Sequence, residues 1–511
     1  MNMREFIVPL IVALIGTWAI QYFFFPKQSP QEGVRTVQPF IAPTGVQEAK
    51  PLNTEIDFID IKKAEYSEST EVETENATLV FSTDGASLDR LEFKRKTDGK
   101  SYTIDTVFPV QEENRENRCF LVAFDQKTPY YFKLINRQEL PETTVLSYQV
   151  ETEDGILTKT FTVYKQSYKI DLDVKIVPKK SENTIGSMRI FFPAPLMPEL
   201  ENTDVISSIV AGDQGTIKST LRSKVNVHQG WILPTLFGTQ SRYFVHAMVQ
   251  DSQLFCQRAY YKLFDKTCMT SILEGPKVEK ESSWKLSFYF GPKELHALVK
   301  VDPRLESLDY SGLLGPIAKW FMMFMKWLYS FLHNYGLVII VLAIFIKLIL
   351  LPFTIKAEAS NKKQMELQKK IQYIKHRYKD DPERSKQEQA ELIAKHGMPG
   401  LSSCLPLLLQ LPIFYALSRV LSGSIDLYHA SFLWIPDLAV RDPWYILPIL
   451  TSLSMIGMMR STGDSRQQIS SIAMAIFIGI VSLNLSSGLA LYIFVTTFLG
   501  VAQTFIQKRF A

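Results

Sequence analysis

Long apolar runs alternate with polar segments along this chain, and the first run lies at the N-terminus. Phe6 to Phe25 is apolar except for Thr17 and Gln21. A run of about 20 apolar residues is long enough to cross a bilayer as a helix. No small-residue cleavage pattern follows it. We therefore expect residues 1–25 to form an uncleaved signal anchor rather than a cleaved signal peptide.

Five further apolar runs lie toward the C-terminus, at residues 337–356, 403–421, 444–460, 468–485 and 488–506. Their lengths are close to those of membrane-spanning helices, so the chain is predicted to cross a membrane six times in total. The last two runs are separated only by Ser486-Ser487-Gly488, and this short break predicts a tight helical hairpin. Residues 337–511 would then form a five-span core.

From about residue 55 to residue 292 the apolar positions repeat every second residue. The alternation is clearest in two segments, whose apolar members are Ile170, Leu172, Val174, Ile176, Trp284, Leu286, Phe288 and Phe290. Lys285, Ser287 and Tyr289 take the polar positions of the second segment. One apolar and one wet face are typical of half-buried antiparallel strands. The pattern predicts one large β-sandwich over 55–310, preceded by a proline-rich linker at 26–54.

A helical period replaces the period of two after Gly315-Pro316. Proline is favoured at the first position of a helix. The apolar residues then recur at helical spacing, at Ile317, Trp320, Phe321, Phe324, Leu328 and Phe331. A helix this rich in Trp and Phe is predicted to lie in the membrane interface over residues 316–334. The alternative is a helix that packs on the core of the β-domain.

Residues 357–400 form a basic, hydrophilic stretch between the first two C-terminal runs. Its cations are Lys362, Lys363, Lys369, Lys370, Lys375, Arg377, Lys379, Arg384, Lys386 and Lys395. Apolar and aromatic residues at helical spacing form a stripe that ends at Tyr378. Asp380-Asp381-Pro382 then breaks the helix, and a second helix continues to about His396. We therefore predict a helical hairpin. Short basic loops stay in the cytoplasm, which places the hairpin and both termini inside and the β-domain outside.

The composition argues against an enzyme with a familiar site. The net charge of +4 is too small to indicate a nucleic-acid partner. No metal-ligand spacing, phosphate-binding loop or dinucleotide fingerprint is present in the sequence, so we expect no cofactor. Cys256 and Cys268 lie on the predicted oxidising side and flank a hairpin-like segment, so a disulfide between them is possible in principle. Cys119 is a competing partner for either cysteine. The alternative is that all three thiols are free.

Four segments, in order, resemble the YidC/Oxa1/Alb3 family of membrane protein insertases. They are IKLILLPFT around Lys347, MPGLSSCLPLLLQLPIFYAL at 398–417, FLWIPDLAVRDPWYILPIL at 432–450 and SSGLALYIFVTT at 486–497. The β-domain resembles the periplasmic domain of bacterial members in position and size. The resemblance thus implies an α+β membrane protein of a bacterial inner membrane, with a periplasmic β-sandwich and a transmembrane bundle. Many bacterial members carry Arg at the position of Lys347, so the planar guanidinium is lost here.

The resemblance also implies a hydrophilic groove that is open to the cytoplasm and to lipid. A mid-span cation such as Lys347 costs about 2.5–3.5 kcal/mol in apolar surroundings, and Lys356, at the cytoplasmic end, is about 13 Å along the helix. Lys347 is therefore expected to face water, the alternative being a structural charge paired within the bundle. Candidate lining residues are Lys347, Gln410, Ser418, Asn484, Ser486, Thr496 and Thr497, and candidate substrate-contacting residues are Pro352, Pro406, Pro412 and Tyr492.

The implied partners are nascent integral membrane proteins, the Sec translocon and the lipid bilayer. The basic hairpin would contact the ribosome, a targeting receptor or anionic lipid, unless it is simply a solvated charged surface. Two other functions stay open at this stage. A membrane-anchored carbohydrate-active enzyme would use the β-domain, and a solute transporter would use Lys347 as a substrate site.

Overall fold

The computed structural model describes residues 67–97, 100–108, 118–124, 129–179, 185–196, 206–211, 217–225, 230–264, 268–310, 314–379, 381–396, 405–459 and 465–510. The predicted anchor at 1–25 and linker at 26–54 lie outside this part of the chain. The described residues form two compact units, one built of strands up to Tyr310 and one built of helices from Leu314 onward.

The first unit contains eighteen strands among the described residues. The first nine are β1 Ser69–Glu73, β2 Ala77–Ser82, β3 Ser87–Thr97, β4 Lys100–Val107, β5 Leu121–Ala123, β6 Lys133–Glu139, β7 Thr143–Glu151, β8 Gly155–Tyr164 and β9 Lys169–Pro178. The second nine are β10 Ile185–Pro193, β11 Ser207–Ala211, β12 Ile217–Leu221, β13 Trp231–Ile232, β14 Leu236–Gln240, β15 Phe244–Asp251, β16 Arg258–Phe264, β17 Cys268–Val278 and β18 Ser282–Pro292.

These strands form three antiparallel sheets. Their orders are β1-β2-β3-β4, β13-β16-β17-β10-β5 and β12-β11-β14-β15-β18-β9-β8-β7-β6. Aromatic pairs join the nine-stranded sheet to both smaller sheets, at Phe81–Phe161, Phe93–Phe244, Phe192–Phe288 and Phe237–Tyr261, with ring centroids 4.3 to 5.5 Å apart. Sheet therefore packs on sheet, and the core lies between them.

The predicted apolar faces of β9 and β18 are confirmed, whereas the predicted wet faces are confirmed only in part. Ile170, Leu172, Val174 and Ile176 of β9 are all buried, as are Trp284, Leu286, Phe288 and Phe290 of β18. Asp171, at a wet position of β9, is buried with Ser287 of β18, whose hydroxyl donates to it at 2.7 Å. Tyr289 is buried as well, so the predicted wet positions of Ser287 and Tyr289 were wrong. The reason is tertiary: helix α1 (Leu295–Val301) and the 3₁₀ turn Pro303–Glu306 pack over Tyr289 through Leu298 and Leu305.

The disulfide between Cys256 and Cys268 was wrong. Cys256 is a buried free thiol that donates to the carbonyl of Arg258 at 3.6 Å. In the β16–β17 pair, Cys268 is opposite Phe264, whereas Arg258 is opposite Glu274 at the far end. The two cysteines thus lie at opposite ends of a long hairpin, beyond disulfide reach. Cys119 is buried and free as well.

The second unit is helical. Its helices are α2 Gly315–Leu332, α3 Tyr335–Arg377, α4 Pro382–His396, α5 Leu405–Gly423, α6 Ile446–Met459, α7 Ser465–Ser482 and α8 Ser487–Phe510. Shorter pieces are Ser307–Tyr310 in the first unit and the 3₁₀ turns Arg222–Lys224 and Ile425–Leu427. Among the described residues, two segments are long and apolar enough to span a bilayer, Tyr335–Ile355 and Ser487–Ile506. Ile446–Gly457 and Ile472–Ser482 are shorter apolar helices.

Helix α2 belongs to the helical unit and not to the core of the β-domain. Its Trp320 and Phe324 rings pack on Phe345 of α3, with centroids 6.2 and 4.9 Å apart. Farther along the same stripe of the helix, Trp327 and Phe331 are largely exposed. The amphipathic pattern therefore describes the helix correctly, and the alternative of packing in the β-domain core is excluded.

Helix α3 is longer than the predicted apolar run. It continues without a break through Pro352 to Arg377, so the apolar segment and the first arm of the basic stretch are one helix. A proline can be accommodated in this way when neighbouring groups satisfy the freed carbonyl. The predicted break is confirmed, because the next helix begins at Pro382 and ends at His396. Leu367 is buried on the predicted stripe.

The tight hairpin predicted for the last two apolar runs was wrong. Helices α7 and α8 follow one another through a short turn, but in their described parts α6 lies between them and packs against both. Ser452 of α6 donates to the carbonyl of Ala475 in α7 at 3.1 Å. The short break in the sequence determines only where α7 ends. The helix that α7 packs against is determined by the close approach at Gly479.

Candidate functional site

Helices α3 and α8 lie side by side and run in the same direction. Three contacts follow in order along both helices: Ile339 with Gly488, Lys347 with Gly500, and Thr354 with Gln503. Both numbers rise together, which only a parallel pair allows. Lys347 is twelve residues into α3 and Gly500 thirteen into α8, so the two helices also begin at the same level.

Lys347 lies at the centre of this helix pair. Its side chain is half-buried, and its Nζ lies 3.7 Å from the point where a Cβ on residue 500 would be. Among the described residues, and apart from the flanking residues and nearby backbone of α8 itself, no other heavy atom lies within 4 Å of that point. Gly500 therefore leaves a recess in α8 directly beside the ammonium group. A larger side chain there would fill the space next to the charge.

Polar contacts flank Lys347 on both sides along α8. Gln410 of α5 donates from Nε2 to the Tyr492 hydroxyl at 2.8 Å, two turns before Gly500. Gln503 donates from Nε2 to Thr354 Oγ1 at 3.4 Å, nearly one turn after it. We call the line of residues between α3, α5 and α8 the polar seam; its members are Lys347, Thr354, Gln410, Tyr492, Thr496, Gly500 and Gln503.

The seam follows one face of α8. Tyr492, Thr496, Gly500 and Gln503 are spaced i, i+4, i+8 and i+11, which places them in one helical stripe. Tyr492 is fully buried, and the stripe spans about 16 Å of helix at 1.5 Å per residue. An apolar helix with one polar stripe of this length presents a continuous polar path to its neighbours.

The structure brings some predicted lining residues together and separates others. Lys347, Gln410, Tyr492 and Thr496 share the seam. The Thr496 and Thr497 hydroxyls donate to carbonyls of their own helix, to Tyr492 at 2.9 Å and to Ile493 at 2.7 Å respectively. Ser and Thr often satisfy their hydroxyls in this way inside helices. Their donor hydrogens are already used, although their oxygens can still accept.

Asn484 and Ser486 do not line the seam beside Lys347. Both lie in the turn before α8, where Asn484 is exposed and the Ser486 carbonyl accepts from Ala490 at 2.9 Å. They are thus about 20 Å along the helix from Gly500. Ser418 is half-buried, two turns beyond Gln410 in α5. The structure therefore places Asn484 and Ser486 away from Lys347, and their role as lining residues stays a prediction.

The prolines predicted to contact substrate lie on helices of the seam. Pro352 and Pro412 are inside α3 and α5, and both are exposed on the surface of the helical unit. Pro406 is the second residue of α5, where the missing N–H is one that a helix start leaves unbonded in any case.

A loop closes the end of the seam at which α3 and α8 begin. We call residues Ser431–Tyr445 the capping loop. The backbone N–H and hydroxyl of Ser487 both donate to the Val440 carbonyl at 2.7 Å, and the Gly488 N–H donates to the Leu438 carbonyl at 2.9 Å. These bonds satisfy N–H groups that a helix start would otherwise leave without partners.

Thr354, Gly500 and Gln503 were not among the predicted lining residues, although Thr354 ends the segment IKLILLPFT. The spacing of Tyr492, Thr496, Gly500 and Gln503 was a readable signal, because it places polar or small residues on one face of an apolar helix. Glycine is easily overlooked in such a stripe since it contributes space instead of a functional group. Among the described residues, no cluster of three His, Cys, Asp or Glu side chains could hold a metal ion.

Comparisons with known proteins cover nearly all of the described chain. The family model described as 60Kd inner membrane protein matches residues 327–511, and the model described as YidC periplasmic domain matches residues 69–324. The membrane protein insertase YidC of Syntrophobacter fumaroxidans is 33% identical over 72% of this chain and 71% of its own. That of Geobacter metallireducens is 27% identical over 95% of this chain and 94% of its own.

Solved structures also match. A crystal structure of an active YidC insertase with its first transmembrane domain resolved is 18% identical, with a TM-score of 0.39, and covers 86% of this chain and 92% of that one. A putative aldose 1-epimerase from Escherichia coli is 7% identical, with a TM-score of 0.28, and covers 44% of this chain and 100% of its own.

Proposed function

Because this chain belongs to the YidC family of membrane protein insertases, whose function is to insert proteins into the inner membrane, we propose that the polar seam around Lys347 receives the polar end of an incoming membrane protein. The family is not one of enzymes, so the carbohydrate-active alternative falls away. The observation that carries the proposal is the half-buried Lys347 ammonium beside the recess at Gly500.

The proposed mechanism uses partitioning instead of chemical energy. A polar tail enters the seam from the cytoplasmic end and comes close to Lys347, part-way across the bilayer. This shortens the apolar distance that the tail still has to cross. The substrate's apolar segment then passes into lipid along α3 and α5, near Pro352 and Pro412. Hydrophobic transfer and the membrane potential, worth about 2.3 kcal/mol per charge per 100 mV, supply the driving force.

The proposed topology has six spans, with both termini and the α3–α4 hairpin in the cytoplasm and the β-domain in the periplasm. The parallel direction of α3 and α8 supports it. If α3, α5, α6, α7 and α8 cross in alternating directions, the first and fifth must run the same way, as these two do. The closure of the seam by the capping loop then lies on the periplasmic side, which fits a groove that admits substrate only from the cytoplasm.

We further propose that the exposed basic surface of the hairpin contacts the ribosome or a targeting receptor, and that the Sec translocon is a partner for larger substrates. The first is supported by charge: Lys370, Lys375 and Arg377 are all exposed on α3, and Arg384 and Lys386 on α4. Helix α2, with Trp320, Trp327 and Phe331 exposed, is proposed to lie in the membrane interface.

Reconstitution tests the proposed function. The purified full chain is placed in liposomes, and a single-span membrane protein is synthesised in their presence without other membrane factors. Insertion is read as protection of the translocated tail from added protease. We expect protection well above that of empty liposomes, and more of it with an imposed membrane potential. Protection equal to that of empty liposomes would contradict the proposal, and solute uptake without insertion would favour the transporter.

A further inference from the structure

The capping loop exposes large apolar side chains. Leu433 is 76% exposed and Trp444 71%, and Tyr445 is half exposed. Several exposed apolar side chains of this size on one short loop mark an interaction surface, because a loop in water gains nothing by presenting them. We therefore expect another molecule to cover these side chains.

Backbone geometry holds these side chains outward. Leu433 and Tyr445 have φ angles of 52° and 54°, in the left-handed region that large side chains rarely adopt. The buried Asp442 carboxylate fixes the neighbouring turn, since it accepts from Trp434 Nε1 at 3.2 Å and from the Trp444 and Leu447 N–H groups at 3.2 and 2.8 Å. The exposure of Leu433, Trp444 and Tyr445 is therefore built into the loop.

Contacts with α3 and α8 fix the position of the capping loop along the axes of these helices. The Asn334 side chain at the start of α3 donates to the Ser431 carbonyl at 3.3 Å, and the Phe432 ring packs directly over Gly336. A Cβ on residue 336 would lie 2.1 Å from that ring, so glycine is required there. Together with the bonds to α8, these contacts hold the loop level with the first turn of both apolar segments.

The exposed surface of the loop continues down helix α6. Tyr445, Ile449 and Leu453 follow at i, i+4 and i+8, and Ile449 and Leu453 are 56% and 58% exposed. One apolar stripe therefore runs from the loop onto the side of a helix that the proposed topology places in lipid. Continuity of this kind indicates that loop and helix share one occupant.

We propose that Leu433, Trp444 and Tyr445 are embedded in the phospholipid interface of the leaflet on the capping-loop side, so that the loop is a lipid anchor as well as a seal. The proposal rests on the proposed membrane position of the helices. Trp and Tyr prefer this interface because their rings are apolar at one end and polar at the other. The anchor would hold the Leu438 and Val440 carbonyls over the end of the seam.

Fluorescence quenching in liposomes tests the anchor. The full chain carries one nitrobenzoxadiazole label at Leu433→Cys or Tyr445→Cys, in a background with Cys268→Ser and Cys404→Ser; Cys119 and Cys256 are buried. Quenchers are phospholipids spin-labelled near the acyl carbonyl, phospholipids spin-labelled near the chain end, and aqueous iodide. Arg441→Cys, an exposed charged position of the same loop, is the matched water-facing control. Leu348→Cys, 61% exposed on α3, reports membrane embedding independently.

Labels at 433 and 445 are expected to be quenched more by the shallow lipid quencher than by iodide, with the order reversed at 441. Quenching at 433 and 445 by iodide alone would overturn the anchor. Protection from both would overturn it as well, in favour of a covering protein or second copy. Deep quenching at 348 in either case leaves the proposed function standing. No lipid quenching at 348 would reject the membrane position and the anchor together.

Discussion

Lys347 is an ammonium group held beside a glycine in a pair of otherwise apolar helices. If the seam requires only positive charge, Lys347→Arg should keep insertion activity. Lys347→Ala and Lys347→Glu should reduce insertion of substrates with acidic tails by about tenfold or more, because about 1.4 kcal/mol already gives tenfold. Complementation of a depletion strain, with one acidic-tailed and one neutral-tailed substrate, provides the measurement.

The steady-state amount of each Lys347 variant separates function from structure. A structural ion pair, once broken, would leave a buried partner charge and lower the amount of protein. Normal growth with Lys347→Glu at normal abundance would reject the electrostatic role. Equal loss with both substrates would favour hydration of the seam over attraction of acidic tails.

His246 makes the stability of the β-domain dependent on pH. Burial lowers its pKa from 6.5 to about 3, and the neutral ring stacks on Phe290 at 4.2 Å with Nδ1 3.0 Å from the Pro193 carbonyl. The unfolded chain takes up a proton below pH 6.5 that the folded chain refuses. The free energy of unfolding should therefore fall as pH falls from 6.5 toward 3, by about 1.4 kcal/mol per pH unit from this group.

Pulse proteolysis of the full chain in urea at pH 7 and pH 5 measures the effect. His246→Gln lowers stability at both pH values but cannot take up this proton. The wild-type β-domain should lose about 2 kcal/mol more than the variant between the two pH values. Parallel losses in both proteins would show that His246 does not contribute.

At the scale of elements, the packing of α6 on α7 depends on one glycine, Gly479 of α7. A Cβ on Gly479 would lie 2.1 Å from Ser452 Oγ, whose bond to the Ala475 carbonyl joins the two helices. Gly479→Leu should displace Ser452 and lower stability by about 1–3 kcal/mol, the range of overpacked sites. Gly457→Leu, at a position where no atom of the described residues lies within 4 Å, is the matched control. Similar thermal stability of the two variants in detergent would contradict this packing.

Local patterns predicted elements better than their partners. The apolar face of β9 and the break before Pro382 depend on residues within one turn or one strand, and both were predicted correctly. Which helix packs against α7 depends on whether Gly479 contacts a small side chain on α6 or on α8. The local sequence of an apolar helix does not indicate which of the two it will be. The prediction of a wet position for Tyr289 was wrong for the same reason, because the helix that buries this residue follows later in the chain. The polar seam was predicted in part. The motifs indicated Lys347 and Gln410, whereas they did not indicate Gly500, which contributes a recess and no functional group.

At the scale of the whole molecule, the proposed topology exposes the β-domain outside and shields the hairpin inside. Protease added to spheroplasts should cut loops between residues 67 and 310 and spare residues 381–396. Permeabilised cells, in which both regions are accessible, provide the control. Cleavage within 381–396 in intact spheroplasts would reverse the orientation. It would also place the capping loop on the cytoplasmic side, where it could not seal the seam as proposed.

The central claim is that an incoming membrane protein passes along the polar seam, and site-specific photocrosslinking tests it most directly. A small diazirine side chain is placed at Thr496, on the seam face of α8, or at Phe498, which is 55% exposed at a similar depth on another face. The substrate is a ribosome-bound single-span chain stalled during insertion. The account predicts crosslinks from residue 496 to the substrate's polar tail, weakened in a Lys347→Glu background, and few from residue 498. Equal crosslinking from both positions, or none from residue 496 while insertion proceeds, would contradict it.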